Sequence, residues 1–348
     1  MSGFAGLDVH KDSVQACLIN EQGVVLLQRR FTTSEAGLAA LLDVTKDYDC
    51  VMESSTACFR VYDYLKDNGV KVKVAHPKRL KAISSAKIKT DKVDAETLAQ
   101  LNRADLIPES YIPSKAVRQQ QDIIREHIQL TKQKTRLINQ TRAFLLKNGI
   151  KVDHLPLATP GAKLIQASNL PENIKLKFSH SKQQYDLLKK QLKAVDKRIT
   201  EIARTNPDAI LLDTVPGIAS FTSLTIALQI DNVQRFPTVD HLISYAGLCP
   251  SIRQSGNTIN QTRISQDNCR LMRWTMTQAA WRAVIFSKRF KLMFEEKCKT
   301  KNKQKAIIII AKKLLTIMYF MLRNKTPYNP WGAGRPKVWE EKMGNQAL

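Results

Sequence analysis

Four acidic residues in the first third of the chain stand where a carboxylate is costly or conspicuous. Asp8 falls inside the apolar run "FAGLDV", Glu53 closes "CVME", and Asp91 and Asp94 stand three apart in "DKVDA", on one face of a helix. A charge within an apolar strand is expensive unless it is paired or bound. If the strands carrying Asp8 and Glu53 are neighbours in one sheet, all four carboxylates converge at one end of it. Packed like charges raise one another's pKa, so such a cluster calls for cations. Oxygen donors suit Mg2+ or Mn2+, and two such ions about 4 Å apart can clamp the attacking and leaving oxygens of an in-line phosphoryl displacement. Plainer roles stay open. Asp91 and Asp94 also suit a first helical turn, where they complement the helix dipole, and Glu53 has many lysines to pair with. His10, a lone histidine, is expected to be a sheet-edge residue.

The surroundings favour a polyanionic substrate. "HPKRLKAISSAKIKTDKVDA" places Lys78, Arg79, Lys81, Lys87, Lys89 and Lys92 around the acidic pair, where they can hold a phosphate backbone. The whole chain of 348 residues carries a net charge of +24. Repulsion on that scale is offset by a partner that releases condensed counterions on binding, so nucleic acid leads and an anionic membrane surface trails.

The elements that must position these residues follow from the pattern. Hydrophobic content of 43% and charged content of 25% describe an ordinary globular chain of two or three domains. "FAGLDVHKDSVQACLIN" and "GVVLLQRRF" are expected as a hairpin turning at Glu21, Gln22 and Gly23. "EAGLAALLDVTKD" has helical spacing, "DCVMESS" is a short strand, "RVYDYLKDNG" a helix ending at Gly69, "VKVKVAH" a strand stopped by Pro77, and "DKVDAETLAQLNRADL" an amphipathic helix. This order implies a mixed sheet covered by helices. Strands then vanish. Ile123, Leu130, Leu137 and Phe144 recur every seven residues, and Tyr185, Leu188, Leu192, Val195, Ile199 and Ile202 alternate steps of three and four, the seam of a coiled coil that closes on itself or on a second copy. From about residue 210 a mostly helical unit opens with "LLDTVPGIASFTSLTIALQI". Its Pro-Gly turn is either half of a phosphate-binding helix-hairpin-helix, with Ala219 where a second glycine is usual, or a plain helix connection. The expected organisation is 1–112 as the α/β metal-binding domain, 113–208 as a coiled-coil arm, 209–325 as a helical domain, and 326–348 as a tail.

Taken in order, "GLDVHK", "VMESS", "HPKRLKAISSAKIKTDKVDAETLA", "VPGIASFTSLTIALQI", "RFPTVDHLISYAGLCPSIRQSGNTI" and "RISQDNCRLMRWTMTQAAWRA" resemble the Asp-Glu-Asp-Asp insertion-sequence transposases and the related Piv invertases, over residues 3 to about 285. The resemblance implies that the first domain is RuvC-like, of RNase H fold, holds two Mg2+ or Mn2+ ions, and uses Asp8, Glu53, Asp91 and Asp94 as its tetrad. It also makes Ser255, in "RQSGN", the nucleophile of the C-terminal domain, with Arg253 beside it as a nucleic-acid contact. From the residues alone, Ser255 before Gly256 reads as a turn residue. The chemistry explains why a serine would be wanted: a covalent phosphoserine conserves the bond energy that hydrolysis discards, so a strand can be rejoined to a new partner without ATP. The resemblance further implies a noncoding guide RNA that pairs with donor and target DNA, and dimers that join into tetramers.

The chain departs from the family at Thr56 and Ala57, where a glycine is usual, and at Gln266 and Asn268, which replace Lys and Gly. Competing readings are an inverting recombinase of the Piv type, a RuvC-like junction nuclease or nucleic-acid-binding regulator that does not rejoin strands, and an ATPase of the actin and sugar-kinase type. The last calls for a Gly-rich adenosine loop, and the chain has neither a P-loop nor a GxGxxG motif. Six dispersed cysteines without a C-x-x-C pair argue against a zinc site or a disulfide framework. "AIIIIAKKLLTIMYFML", broken by Lys312 and Lys313, is expected as a core helix and not a membrane span. No export signal precedes the first strand, so a cytoplasmic protein is expected.

Overall fold

The computed structural model describes residues 3–83, 90–151, 156–158, 162, 169–255, 258–264 and 269–330, with 250–255 and 258–264 described as backbone only. They form two compact units, one ending at Lys115 and the other beginning at Ala116.

The first unit is a five-stranded mixed sheet with helices on both faces. Its strands are β1 (Gly3–Val9), β2 (Ser13–Ile19), β3 (Val25–Thr32), β4 (Tyr48–Glu53) and β5 (Val72–Ala75), and its helices are α1 (Glu35–Thr45), α2 (Cys58–Asp67), α3 (Pro77–Ile83) and α4 (Asp91–Arg103). The spatial order is β3-β2-β1-β4-β5. The first three strands run antiparallel, and β4 and β5 run parallel to β1. The single run expected from "FAGLDVHKDSVQACLIN" is therefore two strands. The polar trio His10, Lys11 and Asp12 breaks it, and the His10 amide donates to Ser13 O at 2.8 Å to close the turn. Asp8 thus stands near the end of a strand, not midway along one.

Period-two alternation assigns each strand residue to a face. Ala5, Leu7, Val14, Ala16, Leu18, Cys50 and Met52 join one core with residues of α1 and α2, including Leu38, Leu41, Val61 and Leu65. On the opposite face, Phe4, Cys17 and Ile19 meet Ala95 and Ala99 of α4, while Val51 meets Leu98. That approach is possible because residue 6 is glycine. A Cβ there would lie 1.9 Å from Ala95 O, 2.6 Å from Ala99 N and 2.9 Å from Leu98 Cβ. Gly6→Ala must push α4 off the sheet, and overpacking of this kind costs about 1–3 kcal/mol or more. Thermal unfolding of that variant is expected to show a lower melting temperature, and Asp91 and Asp94 move with the helix. The departures at Thr56 and Ala57 carry no comparable cost: among the described non-glycine residues, positive φ occurs at Asp105, Asp231 and Lys325.

In the second unit, α5 (Lys115–Lys147) and α6 (Glu172–Thr205) form an antiparallel pair. Leu145 packs with Phe178 at one end, and Ile124 and Leu130 share a core with Leu192, Val195, Ile199 and Ile202 at the other. The seam therefore closes within the chain. His127 reaches Asp196 across it at 3.1 Å. The same core continues into the helices that follow, α7 (Pro207–Asp213), α8 (Ser220–Ile230), α9 (Val239–Tyr245), α10 (Arg270–Phe286), α11 (Lys288–Cys298) and α12 (Lys303–Asn324), and Gln121 of α5 donates to Leu228 O at 2.8 Å. The Pro-Gly turn does join two helices, α7 and α8, with Gly217 at φ +82° and its α-carbon against the Arg282 backbone. The run around Lys312 and Lys313 is the core helix α12, with Ile310, Leu314, Leu315 and Met318 fully buried. No helix among the described residues is long and apolar enough to cross a membrane. A β-hairpin, β6 (Pro250–Ser255) and β7 (Thr258–Ile264), precedes α10.

Candidate metal and phosphoryl-transfer site

Strand register brings the acidic residues to one place. Asp8 pairs with Gln15, and Gln15 with Arg30, so Asp8, Gln15 and Arg30 form a row across three strands. On the other side Leu7 pairs with Met52, which makes Glu53 the next residue beside Asp8 on the parallel neighbour. Asp8 lies two residues from Gly6, and Glu53 two from Val51, so both belong to the face that α4 covers. The helix starts at that end of the sheet. Thr90 caps it, its hydroxyl accepting from the Val93 amide at 3.3 Å, and Asp91 and Asp94 lie in the first turn.

The closest contacts involve a residue whose role its sequence context does not disclose. His10 Nε2 lies 3.1 Å from Asp8 Oδ2 and 3.3 Å from Asp91 Oδ1, while Arg30 Nη2 sits 2.6 Å from Asp91 Oδ2. Among the described residues Asp8, His10 and Asp91 are a set whose ligand atoms lie within 4.8 Å of one another. Asp94 is near enough for its charge to act on Asp8. Glu53 shares the sheet end, but its carboxylate is outside the mutually close set. Lys78, Arg79 and Lys92 are exposed, Lys92 next to Asp91 in the first turn of α4, and Lys87 and Lys89 lie outside the described residues. Ser255 ends β6, paired with Thr258 across a connection of residues 256 and 257, and belongs to the second unit. The side chains of Ser255 and Arg253, and the departures Gln266 and Asn268, also lie outside the description.

The electrostatics fit a cation. Burial pushes the Asp8 carboxyl above its ordinary pKa, with Asp91 and Asp94 adding to the rise and His10 opposing it. A half-buried carboxylate beside two others is stabilised by added positive charge, and hard divalent ions take such oxygen donors. Cis ligands of a six-coordinate ion with bonds of about 2.1 Å stand about 3 Å apart, close to the separations of His10 from both aspartates.

The rest of the chain agrees with that chemistry. Residues 5–148 match a family model described as transposase, of the DEDD type from IS110 elements, and residues 209–295 match one described as transposase of the IS116/IS110/IS902 family. The chain belongs to the IS110 family of insertion-sequence transposases. This IS110-family chain is 23% identical over 341 residues to the transposase for insertion sequence element IS1111A of Coxiella burnetii, covering 93% of the chain and 90% of that relative. It is 24% identical to the transposase for insertion sequence element IS1533 of Leptospira borgpetersenii, covering 80% and 84%. The pilin gene-inverting protein of Moraxella bovis is 34% identical over 145 residues, covering 39% of the chain and 44% of that relative. The family places Asp8, His10, Asp91 and the hairpin of Ser255 inside matched regions and leaves residues 149–208 between them.

Proposed function

We propose that the chain is a DNA recombinase that cuts and rejoins strands through a phosphoserine intermediate. The observation that carries this reading is the meeting of Asp8 and Asp91, with Asp94 close by, at the end of a mixed sheet of order β3-β2-β1-β4-β5, which we read as RuvC-like. Asp8, Glu53, Asp91 and Asp94 form the metal set, and His10 joins it as a nitrogen donor or as the side chain that fixes two of the carboxylates. When bound, Mg2+ or Mn2+ supplies charge neutralisation at the scissile phosphate. Lys78, Arg79, Lys87, Lys89, Lys92 and Arg253 hold the phosphate backbone. Ser255 Oγ attacks phosphorus, the Oγ–P bond forms as the bond to the leaving sugar oxygen breaks, and the serine proton ends on that oxygen. A hydroxyl of another strand then reverses the step and regenerates the serine.

Residues 1–112, 113–208 and 209–325 are assigned to catalysis, to an arm and to the serine-bearing domain, with 326–348 as a tail. The net charge of +24 supports two polyanionic partners, donor and target DNA together with a noncoding guide RNA, so that base pairing reads sequence while the protein holds backbones. A dimer or tetramer combining Ser255 of one copy with the tetrad of another, in the cytoplasm, completes the reading. The similarity to the Moraxella bovis pilin gene-inverting protein favours a second outcome for the same chemistry, site-specific inversion. Incubation of the protein and its copurified RNA with donor and target DNA and Mg2+ is expected to give joined product. Cleaved strands that are never joined would leave a junction nuclease.

His10 gives a separate test. His10→Ala is expected to weaken Mn2+ binding about tenfold, the lower end of the 10–100-fold cost of losing a group that orients metal ligands. Isothermal titration calorimetry checks it. Unchanged affinity would remove His10 from the site.

A further inference from the structure

On α10 the chain exposes large aromatic side chains that its own core does not use. Trp274 is 47% exposed and Trp281 37% exposed, and Ile285 and Phe286 beyond them are also open to solvent. The two tryptophans are seven residues apart, so they stand nearly in line along the helix, about 10 Å from each other. Arg270 falls on the same stripe and Arg282 beside it, both exposed. Each indole is held by a neighbouring ring at a steep angle. Phe221, its ring tilted 37° against His127 at 4.3 Å, meets Trp274 at 6.4 Å and 76°, and Phe294 meets Trp281 at 5.4 Å and 64°. Held rings cost little entropy when a flat ligand stacks on them.

The charge identifies the occupant. From Cys269 to Phe294 there are six lysines and arginines and no aspartate or glutamate. A basic groundwork with aromatic faces set into it suits single-stranded nucleic acid, whose bases are free to stack while its phosphates meet the arginines. Duplex DNA offers phosphates but hides its base faces. In sequence the helix also comes next after the hairpin that carries Ser255, whose second strand ends at Ile264. We propose that Trp274 and Trp281 are a stacking platform for an unpaired stretch of DNA, the strand made available by cleavage. The proposal deepens the recombinase reading and rests on it for the presence of such a strand.

The test measures fluorescence anisotropy of a labelled oligothymidylate with the full-length protein, alongside an abasic strand of equal length, an oligouridylate and a duplex. Trp274→Ala and Trp281→Ala are each expected to weaken oligothymidylate binding about tenfold, from the usual contribution of one stacked base, and to leave the abasic strand unchanged. The double variant Trp274→Phe, Trp281→Phe, which keeps a ring at both positions and guards against simple misfolding, is expected to retain most of the affinity. Equal losses on the abasic strand, or no loss on oligothymidylate, would overturn the platform. So would tighter, tryptophan-dependent binding of oligouridylate, which would make RNA the occupant, or a change in sedimentation with oligothymidylate binding intact, which would make it a second copy of the chain. Asp8→Asn separates this proposal from the catalytic one: it is expected to bind oligothymidylate as the wild type does.

Discussion

Asp8→Asn is expected to lower strand cleavage by more than about a hundredfold while leaving the metal-free protein at least as stable as wild type. The activity loss follows from position. Even groups that merely orient metal ligands cost about 10–100-fold when removed, and Asp8 is the carboxylate placed between the β4 neighbour and the start of α4. The stability half is less intuitive and comes from its titration. Burial, with repulsion from Asp91 and Asp94, raises the Asp8 pKa in the folded chain against the attraction of His10. The folded state therefore binds this proton more tightly than the unfolded state, where aspartate titrates near ~3.9. The stability so contributed is complete below that pH and is lost as pH rises through the folded pKa. At about pH 7 in chelator the wild type bears the cost of the charge, and the asparagine does not. Melting temperatures measured from about pH 4 to pH 8 should diverge in favour of Asp8→Asn as pH rises. Adding Mg2+ should reverse the order by raising the wild type alone. A variant that melts lower at every pH, or that still cleaves, would remove Asp8 from the site.

The sequence discloses some of this arrangement and hides the rest for physical reasons. Asp8 is legible because an apolar strand makes a charge conspicuous, and Asp91 and Asp94 because the Thr90 cap and helical spacing fix the first turn. His10 is not. Its neighbour Lys11 and the following Asp12 look like ordinary polar residues until the chain is known to turn there, and only that turn swings the imidazole back over Asp8. Arg30 depends on a register, Asp8 to Gln15 to Arg30, that no local pattern encodes. Gly6 is similarly silent: it looks like one small residue in a strand, yet its missing Cβ sets how closely α4 can approach. The arm shows the opposite limit. The heptads of α5 and α6 are plain in sequence, but a seam closing within one chain has the same spacing as a seam between two.

Ser255→Ala is expected to eliminate any covalent protein–DNA adduct without weakening Mg2+ binding. The two effects separate because the residues do different work. In the proposed mechanism the carboxylates at the end of β1 and the start of α4 hold the cations, and Ser255 of β6 supplies the nucleophile. Ser255 occupies the last position of β6, opposite Thr258, so its substitution changes one side chain at a strand end. The proposed reaction needs that oxygen for a thermodynamic reason. A water-derived cut ends in a free phosphate that requires new energy to be rejoined, whereas an ester to the protein keeps the phosphoryl bond exchangeable. Denaturing electrophoresis of radiolabelled DNA after incubation with the wild type should show a slow band that protease removes, and Ser255→Ala should show none. If the alanine variant still accumulates hydrolysed strands, the acidic site alone is activating water and the serine serves only to conserve the bond. An adduct that persists in the variant would require a different nucleophile and would take the phosphoserine step out of the mechanism.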